Sequence, residues 1–201
     1  MKVLVTGGAG FIASNLVDNL ISQGHDVVII DNLTTGKEEN INSKATFYKE
    51  DIGNTEGLEK IFAEEKPDIV NHHAAQVDLR RSVGDPLYDA QVNIIGSLNL
   101  INISSEHNVK RFIYASTGGA VYGEPEYLPV DEKHIVDPQS QYGVSKHTVE
   151  HYLFVFRQTH NLSYTVLRYP NVYGPRQDPH GEAGVVAIFT EQMLDGKQST
   201  V

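Results

Sequence analysis

The chain has 201 residues, 40% of them hydrophobic, enough to bury one substantial core and at most about one and a half domains. Its formal net charge of −10, from 16 basic and 26 acidic residues, argues against a nucleic acid or an anionic membrane as the main partner, so any bound phosphate has to be held locally. There is no cysteine, which excludes disulfides and thiolate metal sites and suits a cytoplasmic protein.

The opening MKVLVTGGAG has too short an apolar run for a signal peptide, and no segment approaches the roughly 20 apolar residues of a membrane span. From there, runs rich in Val and Ile alternate with segments of helical period, the pattern of strands and helices in a parallel sheet. KVLVT is a first strand, and FIASNLVDNLISQG a helix that places Phe11, Leu16, Leu20 and Ile21 near one face and stops at Gly24. DVVIID is a second strand, ATFYKED a weaker third, TEGLEKIFAEEK a helix, and DIVNHH, after Pro67, a fourth strand. DPLYDAQVNIIGSLNLINISSEH predicts a long helix opening at Pro86, a favoured first-turn residue. RFIYAS, YGVSKHTVEHYLFVFRQTH and SYTVLRY then read as strand, long helix and strand. No repeat or linker interrupts the series. The simplest account is a doubly wound, Rossmann-type α/β fold, a parallel sheet with right-handed crossovers, running to about residue 170.

The first turn carries a chemical signal. TGGAGFIA has glycines at Gly7, Gly8 and Gly10, with Ala13 where a third glycine of a GxxGxxG pattern falls, after a strand and before a helix. Such a turn lets the backbone approach a pyrophosphate over the free N–H groups of a helix N-terminus; a plain tight turn is the alternative. Asp31, about 20 positions on at the end of the second strand, suits a ribose diol and repels a 2′-phosphate, which favours NAD over NADP, although Lys37 lies close enough to weaken that preference. A second signal is YGVSK. On a helix, Tyr142 and Lys146 share one face, as many solvated pairs also do. Beside a dinucleotide, an ammonium and an oxidised nicotinamide both favour the phenolate and make the phenol a general base.

TGGAGFIAS, DNLTTGKEEN, NHHAAQ, YGVSK and RYPNVYGPRQ, in this order, give the chain a resemblance over its whole length to the extended short-chain dehydrogenases/reductases. Within these it resembles the NAD-dependent epimerase/dehydratase family and its UDP-glucose (UDP-galactose) 4-epimerase branch. The resemblance implies NAD as cofactor and a UDP-sugar as substrate, with Gly7, Gly10, Phe11 and Ile12 at the pyrophosphate and Asp31 and Asn32 at the adenosine ribose. It places Asp51 and Ile52 at the adenine, where a strand end and turn is the plainer reading. Ala74, Ala75 and Gln76 fall where a strand loop passes the cofactor. Asn93 falls near the nicotinamide, or is a buried amide bonding to the sheet. Asn171 falls at the nucleotide-sugar diphosphate, or in an ordinary turn. The family implies a homodimer through long helices, and strands and helices beyond Val201 that complete a substrate domain begun at 171–201, so that 1–170 is the NAD-binding domain and 171–201 an incomplete second one.

The family also ends the strand before the Tyr helix in a hydroxyl that bonds the sugar oxygen undergoing oxidation. In ASTGGAVYG the usual position is Gly118, so Thr117 is expected to supply the hydroxyl, with Ser116 as second choice; both could instead merely cap the strand. No acid pair follows Thr117, which disfavours dehydration. The expected catalytic set is Tyr142, Lys146 and Thr117 or Ser116, acting in C4 epimerisation through a 4-keto sugar. A uronate epimerase, decarboxylase or reductase, and an NAD-binding protein without turnover, stay open. His72 and His73 end a strand, His147 and His151 sit four apart and His180 lies in DPHGEAG. No third ligand is evident for a metal, and none is expected.

Overall fold

In the computed structural model, which describes residues 1–179 and 184–199, six strands pair in the order β3-β2-β1-β4-β5-β6. They are β1 (Lys2–Thr6), β2 (Asp26–Asp31), β3 (Thr46–Lys49), β4 (Ile69–His72), β5 (Arg111–Thr117) and β6 (Tyr164–Tyr169). Every pairing is parallel. The order reverses between β1 and β4, and in a doubly wound sheet the crevice outside the strand C-termini at that reversal is where ligands bind.

Both faces of the sheet are covered, so the central strands carry apolar residues on both sides. Leu4, Val28, Ile30, Val70, Phe112 and Tyr114 face one layer, together with Leu58 and Phe62 of α2 (Thr55–Glu65), Leu100 and Ile101 of α5 (Ser97–Glu106), and Val149 and Leu153 of α7 (Gln141–His160). Val3, Val5, Val27 and Ile29 face the other, against α1 (Phe11–Ser22). The buried face of α1 differs from the sequence expectation: Ala13, Ser14 and Val17 are buried, Leu20 and Ile21 only pack at the margin, and Phe11 turns into the cleft. The close approach explains this. A Cβ on Gly8 would lie 2.7 Å from Ile29 Cγ2, so the start of the helix meets the sheet through small side chains.

The long helix expected from Pro86 is three pieces in line: α4 (Pro86–Ala90), a wider π-helical turn over Gln91–Gly96, and α5. Asp85 caps its start by accepting from Tyr88 N at 3.0 Å. The π turn is a tertiary effect, formed where Gly96 lies against Ile52 (a Cβ there would be 2.7 Å from Ile52 Cδ1), and turns of this kind frequently mark functional sites. Two short helices, α3 (Leu79–Gly84) and α6 (Gly118–Val121), carry too little periodicity to be read from sequence. Helix α7 starts where Ser140 accepts from Gly143 N and ends at Asn161, whose φ is +57°. The last helix, α8, spans Val185–Leu194. No helix among the described residues is long and apolar enough to cross a membrane.

Phe62 is fully buried between α2 and the sheet. Phe62→Ala is expected to lower unfolding stability by about 3–5 kcal/mol in a denaturant titration, because the rigid sheet beneath cannot collapse into the space.

Candidate active site

A cleft of about 620 Å³ runs along the C-terminal ends of the strands. Its floor is the β1–α1 turn. Gly7 has φ +70°, and a Cβ there would lie 2.8 Å from Ala74 N, so the turn and the loop after β4 are in backbone contact. Gly10 stands at the N-cap of α1 with no side chain to occupy the free N–H groups, and the first turn of the helix carries no acid. Gly7, Gly10, Phe11 and Ile12 all line the cleft. That arrangement leaves positive helix-end charge open to an anion.

Beside this floor, Asp31 is fixed by two backbone donors, Ala9 N to Oδ2 at 3.0 Å and Leu33 N to Oδ1 at 2.8 Å, with its carboxylate on the cleft wall. Asn32 is also in the wall and donates to Asp51 Oδ2 at 2.6 Å. Of the pair expected at the adenine, Ile52 lines the cleft; Asp51 stands behind it, accepting from Asn32 and from Gly53 N. Ala74, Ala75 and Gln76 line the opposite side. Asn93 does not reach the cleft. Its Oδ1 accepts from Gln76 N and its Nδ2 donates to Gln76 O and to Asp89 Oδ1, all at 2.9–3.0 Å, which uses the whole amide inside the protein. It is a buried amide, as the plainer sequence reading has it, but it ties the loop after β4 to α4 instead of bonding to the sheet.

The far end holds the hydroxyls and the phenol. Thr117, Ser116, Tyr142, Lys146 and Asn171 converge there, with Tyr169 and His73 stacked at a centroid distance of 5.9 Å beside them. The two hydroxyls are not equivalent. Ser116 is buried and donates to Glu150 Oε1, a carboxylate that Arg168 grips through Nε and Nη2. Thr117 is half-buried, makes no side-chain cap, and faces the cleft. Gly118 cannot carry a side chain without crowding Arg168 O, 3.1 Å from where its Cβ would be.

Tyr142 and Lys146 share one face of α7, the Lys146 ammonium lying 5.9 Å from the Tyr142 ring centroid and 4.7 Å from that of Tyr114. Burial sets the protonation of both. It pushes the Tyr142 phenol up to about 12, with a smaller upward contribution from Asp89, and pulls the Lys146 ammonium down to about 8 against the opposing pull of Asp89 and Glu150. The ammonium therefore does not by itself make the phenol a base; desolvation is the larger effect.

The histidines are accounted for by packing. His72 is buried between Thr6 Oγ1 (2.7 Å) and Ser97 Oγ (2.9 Å), and burial holds it neutral. Burial likewise lowers His73 to about 4. His147 and His151 bond each other at 3.0 Å on α7, and His147 faces Glu150. His180 lies outside the described residues, among which no group of three or more potential metal ligands occurs. Sequence reasoning missed Glu150, Arg168, Asp89 and Ser145. Only Glu150, four residues after Lys146 on the same helical face, had a local signal.

A family model described as NAD dependent epimerase/dehydratase family matches residues 3–201. The chain is 44% identical over 206 residues to the UDP-glucose 4-epimerase of Mycolicibacterium smegmatis, covering 100% of this chain and 66% of that one. Among solved structures it is similar to UDP-glucose 4-epimerase from Thermotoga maritima with UDP-glucose (52% identity, TM-score 0.96). It is also similar to the Thermus thermophilus UDP-glucose 4-epimerase complex with NAD (49% identity, TM-score 0.94). Each of these alignments covers 100% of this chain and 65% of the other. The chain thus spans just under two thirds of these relatives' lengths.

The Glu150–Arg168 pair lies behind the end of the cleft that holds Ser116, and Arg168 also donates to Tyr122 OH at 2.8 Å. Removing Arg168 strands a carboxylate that is only 9% exposed, so Arg168→Ala is expected to cost about 3 kcal/mol in denaturant unfolding. Because Arg168 and the Ser116 hydroxyl hold Glu150 below the ordinary carboxylate range despite burial, the pair's contribution is present above that range and is lost as pH falls through the lower folded value. The stability difference between wild type and Arg168→Ala should therefore shrink on acidification.

Proposed function

The chain belongs to the NAD dependent epimerase/dehydratase family, and on that premise we propose that this protein epimerises C4 of a nucleotide sugar, UDP-glucose/UDP-galactose or an N-acetyl form, with NAD as cofactor. The observation that carries the reading is the convergence of one free hydroxyl, one phenol and one buried ammonium at the end of a dinucleotide-shaped cleft. The residues fit NAD. A helix N-terminus without an acid would meet the pyrophosphate, the glycine turn has no side chain to exclude it, and the Asp31 carboxylate would meet the adenosine ribose. The names of the Thermus and Thermotoga relatives, one with NAD and one with UDP-glucose, support the same pair of ligands here.

When bound, NAD supplies an acceptor and then a donor of hydride. The protein's own residues manage the proton and the oxygen. Tyr142 would take the proton of the sugar 4-hydroxyl and later return it to the 4-oxygen; because the hydride that leaves C4 is also returned to C4, no net redox change results. Thr117 donates a hydrogen bond to that oxygen, since Ser116 is committed to Glu150. Lys146 would hold the cofactor ribose and stands as a positive charge beside the phenol, where with an oxidised nicotinamide bound it would oppose the burial that holds Tyr142 protonated. Gly118 and Gly119 follow Thr117 where a dehydratase would need acids, which leaves nothing to expel a C6 hydroxyl.

The same reading assigns residues 1–170 to the cofactor domain and 171–201, which include Asn171 and α8, to the start of the substrate domain. It also implies a cytoplasmic enzyme of carbohydrate metabolism that pairs with a second copy through its long helices. Leu87, Ile95, Val144, Tyr152 and Val155, all exposed on those helices, supply apolar surface for that contact.

The test is incubation of the full-length protein with UDP- and dTDP-sugars, with C4 stereochemistry read by NMR. Tyr142→Phe is expected to keep NAD and lose about 10²–10⁴-fold in turnover. Wild-type turnover in that variant would remove Tyr142 as the base, and oxidised or decarboxylated products would move the protein to another reaction of the family.

A further inference from the structure

We infer that Asp89 is a positioning residue for the reaction centre: through Ser145 its carboxylate fixes the turn of α7 that carries Tyr142 and Lys146, and it sets a buried negative charge against the Lys146 ammonium. The inference rests on the roles proposed above for that pair.

Asp89 lies on α4, 1% exposed, immediately before the π turn. Three donors from three segments reach it. Ser145, between Tyr142 and Lys146 on α7, donates to Oδ2 at 2.6 Å. Asn93, in the π turn, donates to Oδ1 at 3.0 Å, and Gln76, on the loop after β4, donates to the same oxygen at 3.3 Å. One carboxylate thus ties the catalytic helix, the π turn and the cofactor loop together. Backbone hydrogen bonds fix the shape of α7 but not its rotation against α4. Val149 and Leu153 hold that rotation further along the helix, and the Ser145 bond holds it at a residue adjacent to Lys146.

The charge has a second consequence. A carboxylate buried among neutral donors is costly unless a cation stands near it. The groups facing the Lys146 ammonium are Tyr142 and Glu150 on its own helix, Tyr114 on β5, His72 at the end of β4, His73 in the loop after it, and Asp89 on α4. Both histidines are held neutral by burial, and Glu150 is matched by Arg168. Within this group Asp89 and Lys146 are left as the two buried charges without an ion pair, each the other's countercharge. Take Asp89 away and the ammonium, already pulled down to about 8 by burial, loses its largest opposing support.

The experiment uses full-length protein labelled with [¹³Cε]lysine, the Lys146 resonance being assigned from K146R. In D89N, which keeps the side chain's shape, Lys146 should titrate about half a pH unit or more below wild type. The kcat for C4 interconversion should fall about ten-fold, with KM for the sugar unchanged and the alkaline limb of the pH–rate profile moved to lower pH. A Lys146 titration identical to wild type, or a variant that changes KM alone, overturns the inference. S145A removes the bridge and leaves the charge, and it decides the matter if D89N does not fold. Lys146 should then titrate as in wild type while kcat falls with KM unchanged, and wild-type kcat would overturn the positioning role. If wild-type protein turned over no nucleotide sugar, the proposed reaction would fail, yet the Lys146 titration in D89N would still decide whether Asp89 acts on Lys146.

Discussion

A lysine ammonium taken out of water is the constraint that organises this molecule. Lys146 is 3% exposed, yet no carboxylate of the described residues forms an ion pair with it. A bare buried charge is unstable, and the usual remedy, a direct ion pair, would occupy the nitrogen and remove it from ligand binding. The structure instead places its anions one step away. Asp89 is tied down by Ser145, Asn93 and Gln76, Glu150 by Arg168, Ser116 and His147, and the face of Tyr114 lies 4.7 Å from the ammonium. The field of both carboxylates reaches Lys146 while its donors stay open to the cleft.

The same device separates the two adjacent hydroxyls at the end of β5. Both line the cleft, but Ser116 is buried and spent on Glu150, while Thr117, one residue on, is half-buried and makes no such bond. Gly118 then lets the chain pass close to β6, where a Cβ would lie 3.1 Å from Arg168 O. Of two neighbouring hydroxyls, one is committed inside the protein and the other is left free.

What could be read in advance was local. Six strands, the glycine turn, Asp31 and the four-residue spacing of Tyr142 and Lys146 all rest on periodicity or short spacing, and each is where the sequence puts it. What could not be read depends on partners far along the chain. Ser116 meets Glu150 34 positions away, Ser145 meets Asp89 across 56, and Asn93 spends its amide on a loop 17 residues back. A site motif names the residue type; only packing tells whether its polar atoms are already used. The split of the long helix and the small-residue face of α1 have the same origin, since Gly96 against Ile52 and Gly8 against Ile29 are contacts between elements.

The strand order carries a consequence for biosynthesis. β1 is synthesised before its sheet neighbours, sits at the centre of the sheet, and has β4 as its second neighbour, so that Val3 waits for Ile69. β4 in turn pairs with β5, where Val70 meets Phe112. Until those later strands emerge, an apolar ribbon of β1 and β2 stands with an open hydrogen-bonding edge, and non-local pairing of this kind is slow. The nascent chain is thus exposed to sticking to other chains until residues 69–117 have been made, a hazard built into any architecture whose central strand is synthesised before its neighbours.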